Sequence, residues 1–221
     1  ESWQAIGAYT TNVLCYSVQH KLRPMLRYLC EELGVAEESM GAMLLKYPQL
    51  FSLSIDKNLR PTVAFVREQT GVTFAAMSKM VQQHPQLLGL SIEANLQPKL
   101  RYLTEGLAAA PERLAPVVAA LPTLLSLSVE NNLEPKVRFL VDEAGYARED
   151  IARSPNLLAY SLERRMRPRH EAVSRMGIKM ALGSLLSYSE GEFQRRFGGR
   201  DKATRGGTQG DARQTGALAA D

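Results

Sequence analysis

The segment PQLLGLSIEANLQPKLRYL, residues 85–103, decides the fold because close copies of it recur along the chain. The other copies begin at Thr11, Pro48, Pro122 and Pro155, and all five superimpose without gaps. The serine near the middle of each copy is therefore repeated at equal spacing through the first four copies and at a slightly shorter spacing before the fifth. A near-constant period of this length with recurring prolines is typical of a helical solenoid.

Each copy is organised around its serine, and positions within a copy are counted as offsets from it. The five serines are Ser17, Ser54, Ser91, Ser128 and Ser161. A serine hydroxyl suits the N-cap of a helix, and apolar residues at +1, +5, +9 and +12 form one face of the helix that follows, the serine helix. A proline stands at +7. Since the apolar face continues through it, we expect one bent helix; the alternative is a short turn and then a new helix with proline at its first position.

The remaining parts of the repeat are short. Gly34, Gly71 and Gly145 stand where C-cap glycines close helices. A shorter amphipathic segment, the connecting helix, precedes the later copies, and the PxLLxx link after it, the proline turn, suits one turn of 3₁₀ helix. The copies are expected at residues 11–34, 48–71, 85–108, 122–145 and 155–177. We therefore predict an all-α, right-handed helical-repeat solenoid over residues 1–197.

The C-terminal end departs from the repeat. Residues 178–197 are expected to supply a closing cap helix that covers the last apolar face. The residues expected to turn inward are Leu182, Leu185, Leu186, Phe193 and Phe197. From Gly198 onward the chain is low in large apolar residues and rich in Gly, Arg and Thr, which predicts a low-complexity basic tail over residues 198–221.

The positive charge of the chain is concentrated near its C-terminus. Lys and Arg number 27 against 23 Asp and Glu, a net charge of +4. Residues 1–162 carry a net charge of −1, whereas residues 163–213 carry +6. This distribution excludes a uniformly basic DNA-coating protein. No apolar run is long enough to span a membrane, and the two cysteines, Cys15 and Cys30, are too few for a disulfide scaffold or a four-ligand zinc site.

Nothing in the sequence favours catalysis. Phosphate-binding, dinucleotide-binding, hydrolase and metalloprotease motifs are all absent. The carboxylates stand chiefly at helix starts and on predicted exposed flanks, without the clustering that a two-metal nuclease needs. We expect no enzyme activity, no cofactor, no metal site and no small-molecule substrate.

The unit PxLLxxSxExNLxPKxxFL, clearest at residues 85–103 and 122–140, resembles the repeat of the mitochondrial transcription termination factor (mTERF) family. Residues 161–173 and 184–197 are similar to the C-terminal end of many members, so the resemblance covers residues 10–197. It implies an organellar α-solenoid that binds double-stranded nucleic acid in transcription, RNA maturation or ribosome assembly. A mitochondrial location is expected, with the chloroplast as the alternative.

Basic residues at two offsets are the candidate nucleic-acid contacts. Offsets +6 and +10 lie one helical turn apart, and every copy has an arginine at one or both. One guanidinium per repeat would follow phosphates rather than read bases; the alternative is an ordinary solvated helix flank. With the neighbouring lysines at +8 of copies three and four and the C-terminal basic cluster, the candidates are Arg23, Arg27, Arg60, Lys99, Arg101, Lys136, Arg138, Arg164, Arg165, Arg167, Arg169, Arg195 and Arg196.

The sequence therefore supports two hypotheses for the function. The first is a sequence-tolerant binder of double-stranded DNA or structured RNA in organellar gene expression. The second is a structural adaptor of an organellar ribosome, contacting ribosomal RNA and neighbouring ribosomal proteins. Aromatic residues that recur at +11 (Tyr28, Phe65, Tyr102 and Phe139) could stack on unpaired bases, but such regular recurrence favours packing between repeats.

Overall fold

The computed structural model describes residues 17–107 and 111–198, and the side chains of all of these except residues 111–113. Among the described residues all regular structure is helical and no strand occurs, which confirms the predicted all-α fold. The chain forms two compact units, the N-terminal unit Glu1–Leu162 and the C-terminal unit Glu163–Asp221.

Parts of three predictions lie outside the described residues. They are the first six residues of copy one, which include Cys15, the last residue of copy three, Ala108, and all of the predicted tail after Gly198.

The connecting helices and the proline turns alternate with the serine helices as expected. The connecting helices are Met40–Lys46, preceded by a 3₁₀ turn at Glu37–Ser39, then Phe74–Gln83, Pro111–Ala120 and Arg148–Arg153. Each proline turn is a 3₁₀ helix, as predicted; the four are Pro48–Ser52, Pro85–Gly89, Pro122–Ser126 and Pro155–Ala159.

Every serine helix begins with a π-helical turn and continues as α-helix. In copies two and five the α-helix then runs to the end, as Ile55–Leu59 with Arg60–Thr70 and Leu162–Met166 with Arg167–Arg175. Copies one, three and four have a second π turn. Their bounds are Val18–Leu22, Arg23–Arg27 and Tyr28–Glu32; Ile92–Leu96, Gln97–Arg101 and Tyr102–Gly106; Val129–Leu133, Glu134–Arg138 and Phe139–Glu143.

The proline at +7 accounts for the first π turn. In copy three the N–H of Leu96 donates to the carbonyl of Ser91, five residues back, with an N···O distance of 3.1 Å. In a regular α-helix the ring of Pro98 would press on the carbonyl four residues before it. A wider turn just before the proline relieves that contact. Since Leu96 and Gln97 keep right-handed helical angles, the helix runs through the proline, as expected.

Both ends of the serine helix are formed as the sequence predicts. The hydroxyl of Ser91 accepts from the N–H of Ala94 at 3.1 Å, and Ser17, Ser54 and Ser128 cap their helices in the same way. At the other end, Gly34, Gly71, Gly145 and also Gly177 have positive φ. This is the left-handed region that a C-cap glycine occupies without strain.

The core of the N-terminal unit is built around the apolar pairs of the proline turns. Leu87 and Leu88 of copy three are fully buried. Their turn packs on the preceding serine helix and connecting helix and on the proline turns of copies two and four. Burial of this pair in every described proline turn stabilises the stack through the hydrophobic effect.

The predicted single cap helix is wrong in one respect, because residues 182–197 form two helices, Leu182–Ser187 and Glu190–Phe197. Ser189 begins the second helix with a capping box, in which its hydroxyl accepts from the N–H of Glu192 and the Glu192 carboxylate accepts from the Ser189 N–H. The expected residues are buried except Phe197, which is half-buried.

Candidate nucleic-acid interface

Offsets +6 and +10 lie on the open side of the serine helices. In the N-terminal unit their arginines are all exposed to solvent; they are Arg23, Arg27, Arg60, Arg101 and Arg138. The stripe at +5, +9 and +12, which is buried in copies two to four, fixes this orientation, because it holds the opposite flank of these helices against the core. The structure therefore brings the same flank of successive helices to the surface with a cation on each.

Several of these arginines pair with carboxylates on their own surface. Arg138 Nη2 lies 3.2 Å from an oxygen of Glu134, and Arg27 Nε lies 3.6 Å from Glu31. Exposed pairs of this kind contribute little to stability, so an incoming phosphate can replace the carboxylate at small cost. Arg23 and Arg101 form no ion pair with any described residue.

Arg60 is held more firmly, because it crosses from copy two to copy one. Its Nη1 lies 2.7 Å from Glu32, its Nε lies 3.4 Å from Asp56, and its guanidinium carbon lies 5.1 Å from the ring centre of Tyr28. Burial raises the pKa of the Tyr28 hydroxyl, an effect that the adjacent Arg60 partly offsets. Arg60 therefore has a packing role between copies as well as an exposed position.

Lys99 and Lys136 do not lie on this surface. Each is only 6% exposed. Burial lowers the pKa of both ammonium groups. Lys136 Nζ donates to the carbonyl of Leu158 at 2.6 Å, whereas among the described residues the one acceptor of Lys99 Nζ is the side-chain oxygen of Asn95, at 3.2 Å. Both stand at +8, and we leave them out of the interface.

Two arginines of the C-terminal cluster are likewise engaged inside the protein. Arg169 is 2% exposed, and its guanidinium donates to the carbonyls of Leu185 and Tyr188 and pairs with Glu190 at 2.9 Å. Arg165 donates to the carbonyl of Tyr188 at 2.6 Å. These two side chains satisfy backbone acceptors around the end of helix Leu182–Ser187, a structural task.

The other arginines of the C-terminal unit are open to solvent to different degrees. Arg164 is exposed, and Arg167 is half-buried and pairs with Glu163 at 3.3 Å. Arg195 and Arg196 are exposed in the last turn of helix Glu190–Phe197. Of thirteen candidates, nine therefore remain accessible: Arg23, Arg27, Arg60, Arg101, Arg138, Arg164, Arg167, Arg195 and Arg196.

The aromatic residues at +11 are packed against other residues and are not fully exposed to solvent. Tyr28 and Phe139 are buried, and Phe65 and Tyr102 are half-buried. This is the packing role that the regular recurrence favours.

Two hydrogen bonds and one packing contact between copies were not predicted from the sequence. The ammonium group of Lys21 donates to the carbonyl of Leu53 in the next copy. His84 hydrogen-bonds through Nε2 to the hydroxyl of Ser126, and at the equivalent position Tyr47 packs against Gly89, where a Cβ atom would overlap its hydroxyl. The last two contacts could have been found in the sequence, because a large side chain at −7 is paired with a small one at −2 of the following copy.

Other classes of site find no support in the described part of the chain. Among these residues no group of three or more His, Cys, Asp or Glu side chains could hold a metal ion. No described helix has the length and apolar character needed to cross a bilayer.

A stack of serine-capped helices joined by 3₁₀ proline turns defines a helical-repeat protein, and in its N-terminal unit one flank of these helices carries exposed arginines. The family model for mTERF matches residues 7–194, and the chain belongs to the mTERF family. Proteins of this family are generally non-enzymatic, nucleic-acid-binding regulators of organellar gene expression.

A curated relative matches a shorter stretch. The chain is 36% identical over 50 residues to "Transcription termination factor MTERF5, chloroplastic" of Arabidopsis thaliana. The match covers 23% of this chain and 10% of that relative's length.

Proposed function

We propose that this chain binds double-stranded DNA or structured RNA through phosphate contacts, as a non-enzymatic factor in organellar transcription or RNA function. The observation that carries the proposal is an exposed arginine at +6 or +10 in each of copies one to four, with the half-buried Arg167 at +6 of copy five. Arginine suits this task because its planar fork of donors matches phosphate oxygens and stays charged at all relevant pH values.

The arrangement supports a sequence-tolerant mode of binding. The accessible cations stand at one or two fixed positions per copy. Phosphates recur at regular intervals along any duplex, whereas the identity of the bases changes with the sequence. The aromatic residues at +11 are occupied in packing, so stacking on unpaired bases is not part of the proposal. Affinity should therefore depend strongly on salt and weakly on sequence.

A double substitution with a charge-matched control tests the proposal. Arg101 and Arg138 change to Gln in one variant, and Lys79 and Arg153, exposed side chains of the connecting helices, change to Gln in the other. Fluorescence anisotropy then measures binding to a labelled duplex of about 20 base pairs, roughly two helical turns, between about 50 and 200 mM KCl.

The two variants lose the same net charge but should behave differently. Loss of two phosphate contacts reduces the slope of log K against log[KCl] by about 1.8 in magnitude and weakens binding about tenfold or more at moderate salt. The Lys79 and Arg153 variant should stay close to the original protein. Equal behaviour of the two variants would contradict the proposed surface, and weak binding with no salt dependence would contradict the proposed mode.

One observation favours the second function, an adaptor in an organellar ribosome. In the N-terminal unit Arg27, Arg60 and Arg138 already pair with carboxylates, and residues 1–162 are almost neutral. Such a surface suits protein neighbours, with ribosomal RNA meeting the basic C-terminus. Co-sedimentation with organellar ribosomes through high salt would support this function, and purification only as a free protein would exclude it.

The family and its chloroplastic relative support an organellar location. We propose the mitochondrion, with the chloroplast as the alternative. Imaging of a fluorescent fusion of the full-length protein against markers of both organelles distinguishes them, and a signal outside both would contradict the assignment.

A further inference from the structure

Residues 183–189 repeat the proline turn in altered form. Residues 183–189, GSLLSYS, match PNLLAYS of residues 155–161 at the leucine pair, the tyrosine and the serine. Ser189 caps the helix that follows it, as the repeat serines do. Leu185 and Leu186 then occupy offsets −4 and −3, which are buried in copies two to five and are buried here too.

A hydrogen bond that joins successive copies is reproduced at this position. In the N-terminal unit Lys136, at +8 of copy four, donates to the carbonyl of Leu158, at −3 of copy five. In the C-terminal unit Arg169, at +8 of copy five, donates to the carbonyl of Leu186, at −3 of Ser189, at 3.4 Å, as well as to the nearer carbonyls of Leu185 and Tyr188. Donor offset and acceptor offset agree in the two cases.

A second bond between copies gives the same equivalence. Lys21, at +4 of copy one, donates to the carbonyl of Leu53, at −1 of copy two. Arg165, at +4 of copy five, donates to the carbonyl of Tyr188, at −1 of Ser189, at 2.6 Å, and also to that of Leu186 at 2.9 Å. Two independent contacts therefore assign residues 183–197 the position of a following copy, whose serine comes sooner after the preceding one than in any other copy.

We propose that residues 183–197 are a truncated sixth copy, and that Arg195, at its offset +6, is a phosphate contact of the nucleic-acid interface. This inference rests on the proposed function. It gives Arg195 the place that Arg23, Arg60 and Arg167 hold in their copies.

The adjacent Arg196 has a different role. It stands at +7, where the other copies have proline, and its Nη1 donates to the hydroxyl of Tyr188 at 2.9 Å. Its guanidinium carbon lies 4.8 Å from the centre of the same ring. Arg195 is exposed and has no hydrogen bond or ion pair to any described residue, so its guanidinium is available to a ligand.

No carboxylate at +2 competes for Arg195. In copy two Asp56 at +2 lies 3.4 Å from Arg60, and in copy five Glu163 at +2 lies 3.3 Å from Arg167. The truncated copy has Gly191 at this offset. A phosphate at Arg195 therefore displaces no partner among the residues that the structure describes.

The nearest acids on the same helix are engaged elsewhere. Glu192 accepts from the N–H and hydroxyl of Ser189, and Glu190 accepts from Arg169 and Gln194. These hydrogen bonds lower the pKa of both carboxyls and keep them directed at their own partners.

Two neighbouring substitutions in the full chain, Arg195→Gln and Arg196→Gln, test the inference. They remove the same charge one residue apart. With the labelled duplex, Arg195→Gln should reduce the magnitude of the salt slope by about 0.9 and weaken binding about fivefold to tenfold near 100 mM KCl. Arg196→Gln should change affinity less than about twofold, and Arg195→Lys, which keeps the charge, should restore most of the slope.

Any result in which Arg195→Gln loses no more affinity than Arg196→Gln overturns the inference. Circular dichroism checks that both variants keep the helical fold, which is expected because Arg195 is exposed. The proposed function is judged separately by the Arg101 and Arg138 variant. Loss of binding there with no effect of Arg195→Gln would refute only the sixth copy's contact, and no effect in either variant would refute both.

Discussion

At offset +8 of the serine helix, the position in the repeat predicts burial correctly, whereas the residue type suggests exposure. The five copies place Met25, Thr62, Lys99, Lys136 and Arg169 there, and all five side chains are buried. Offset +8 stands three residues after +5 and four before +12, so the apolar stripe already puts it on the inner flank. Lysine and arginine are seldom buried without a partner, which is why sequence reasoning counted three of them as surface cations.

The two buried lysines should differ in what their removal does. Lys136→Met should lower the free energy of unfolding by about 1–3 kcal/mol, because the buried carbonyl of Leu158 loses its donor. Lys99→Met should be neutral or stabilising by up to about 1 kcal/mol, because it replaces a poorly paired ammonium with the side chain that copy one carries at Met25. Urea denaturation measures both.

Duplex affinity provides the control for this comparison. Since neither lysine reaches the interface, both variants should bind duplex as the original protein does. A large loss of affinity in Lys99→Met with unchanged stability would show that this side chain contacts the ligand.

His84 should make stability depend on pH. Burial, with a smaller contribution from Lys46, lowers the pKa of His84 from its ordinary value of 6.5. Between that value and the lower folded one, the unfolded chain binds more protons than the folded chain, so stability rises with pH there. The free energy of unfolding should therefore fall as the pH is lowered from about 7.5 to 5.5.

The variant His84→Gln isolates this contribution. It keeps a side chain that can hydrogen-bond to Ser126 but does not titrate, so the loss of stability on acidification should be smaller in the variant. Identical pH dependence of the two proteins, measured by urea denaturation at each pH, would contradict the assignment to His84.

At the scale of elements, the sequence predicts where helices begin and end better than how they are wound. Ser91 and Gly71 mark ends that the structure confirms, because capping is a local property of a serine or glycine at a helix end. The π turn before Pro98 has no residue signature of its own; it follows from fitting a proline into a helix that the apolar stripe keeps continuous.

The side-chain contacts between successive copies could not be predicted from the local sequence of one copy. Tyr47 fits against Gly89, and His84 reaches Ser126, only because the turns of successive copies stack in one register. The truncated sixth copy was similarly hidden, since Ser189 follows Ser161 at a shorter spacing and its turn begins with glycine instead of proline. In both cases the fit becomes evident once two copies are packed together.

The capping serines should contribute measurably to stability. Ser128→Ala removes the acceptor for the N–H of Asn131, 3.1 Å from the hydroxyl. The loss should lower the free energy of unfolding by about 1 kcal/mol. Ser128→Asp supplies another acceptor and a negative charge at the helix N-terminus, so it should retain most of the stability. Equal losses in the two variants would mean that the serine acts through packing and not through its hydrogen bond.

At the scale of the whole molecule, the predicted fold is largely confirmed, whereas the set of basic residues that are accessible to a ligand is smaller than the sequence predicts. The sequence offers thirteen candidate cations, of which four are engaged with backbone or side-chain acceptors inside the protein. The nine that remain accessible are distributed over both units. The N-terminal unit, although nearly neutral overall, still exposes five arginines on one flank of its helices.

This number of accessible arginines bounds the salt dependence of binding. If all of them except Arg196, which is engaged with Tyr188, contacted phosphates of B-form DNA, the slope of log K against log[KCl] would be about −7; if only Arg23, Arg101 and Arg195, which have no ion pair among the described residues, did so, it would be about −3. We expect the full chain to fall between these limits, measured by anisotropy over about 50–200 mM KCl.

The two limits have different physical meanings. A slope shallower than about −2 would mean at most two phosphate contacts, fewer than the three arginines without an ion pair would make, and would contradict the arginine flank as the binding surface. A slope steeper than about −9 would require cations beyond the nine, and Arg200, Lys202 and Arg205 are the next basic residues along the sequence. Changing those three together to Gln would then return the slope to the range set by the helices, whereas a slope that stayed steep would place the additional contacts elsewhere on the protein.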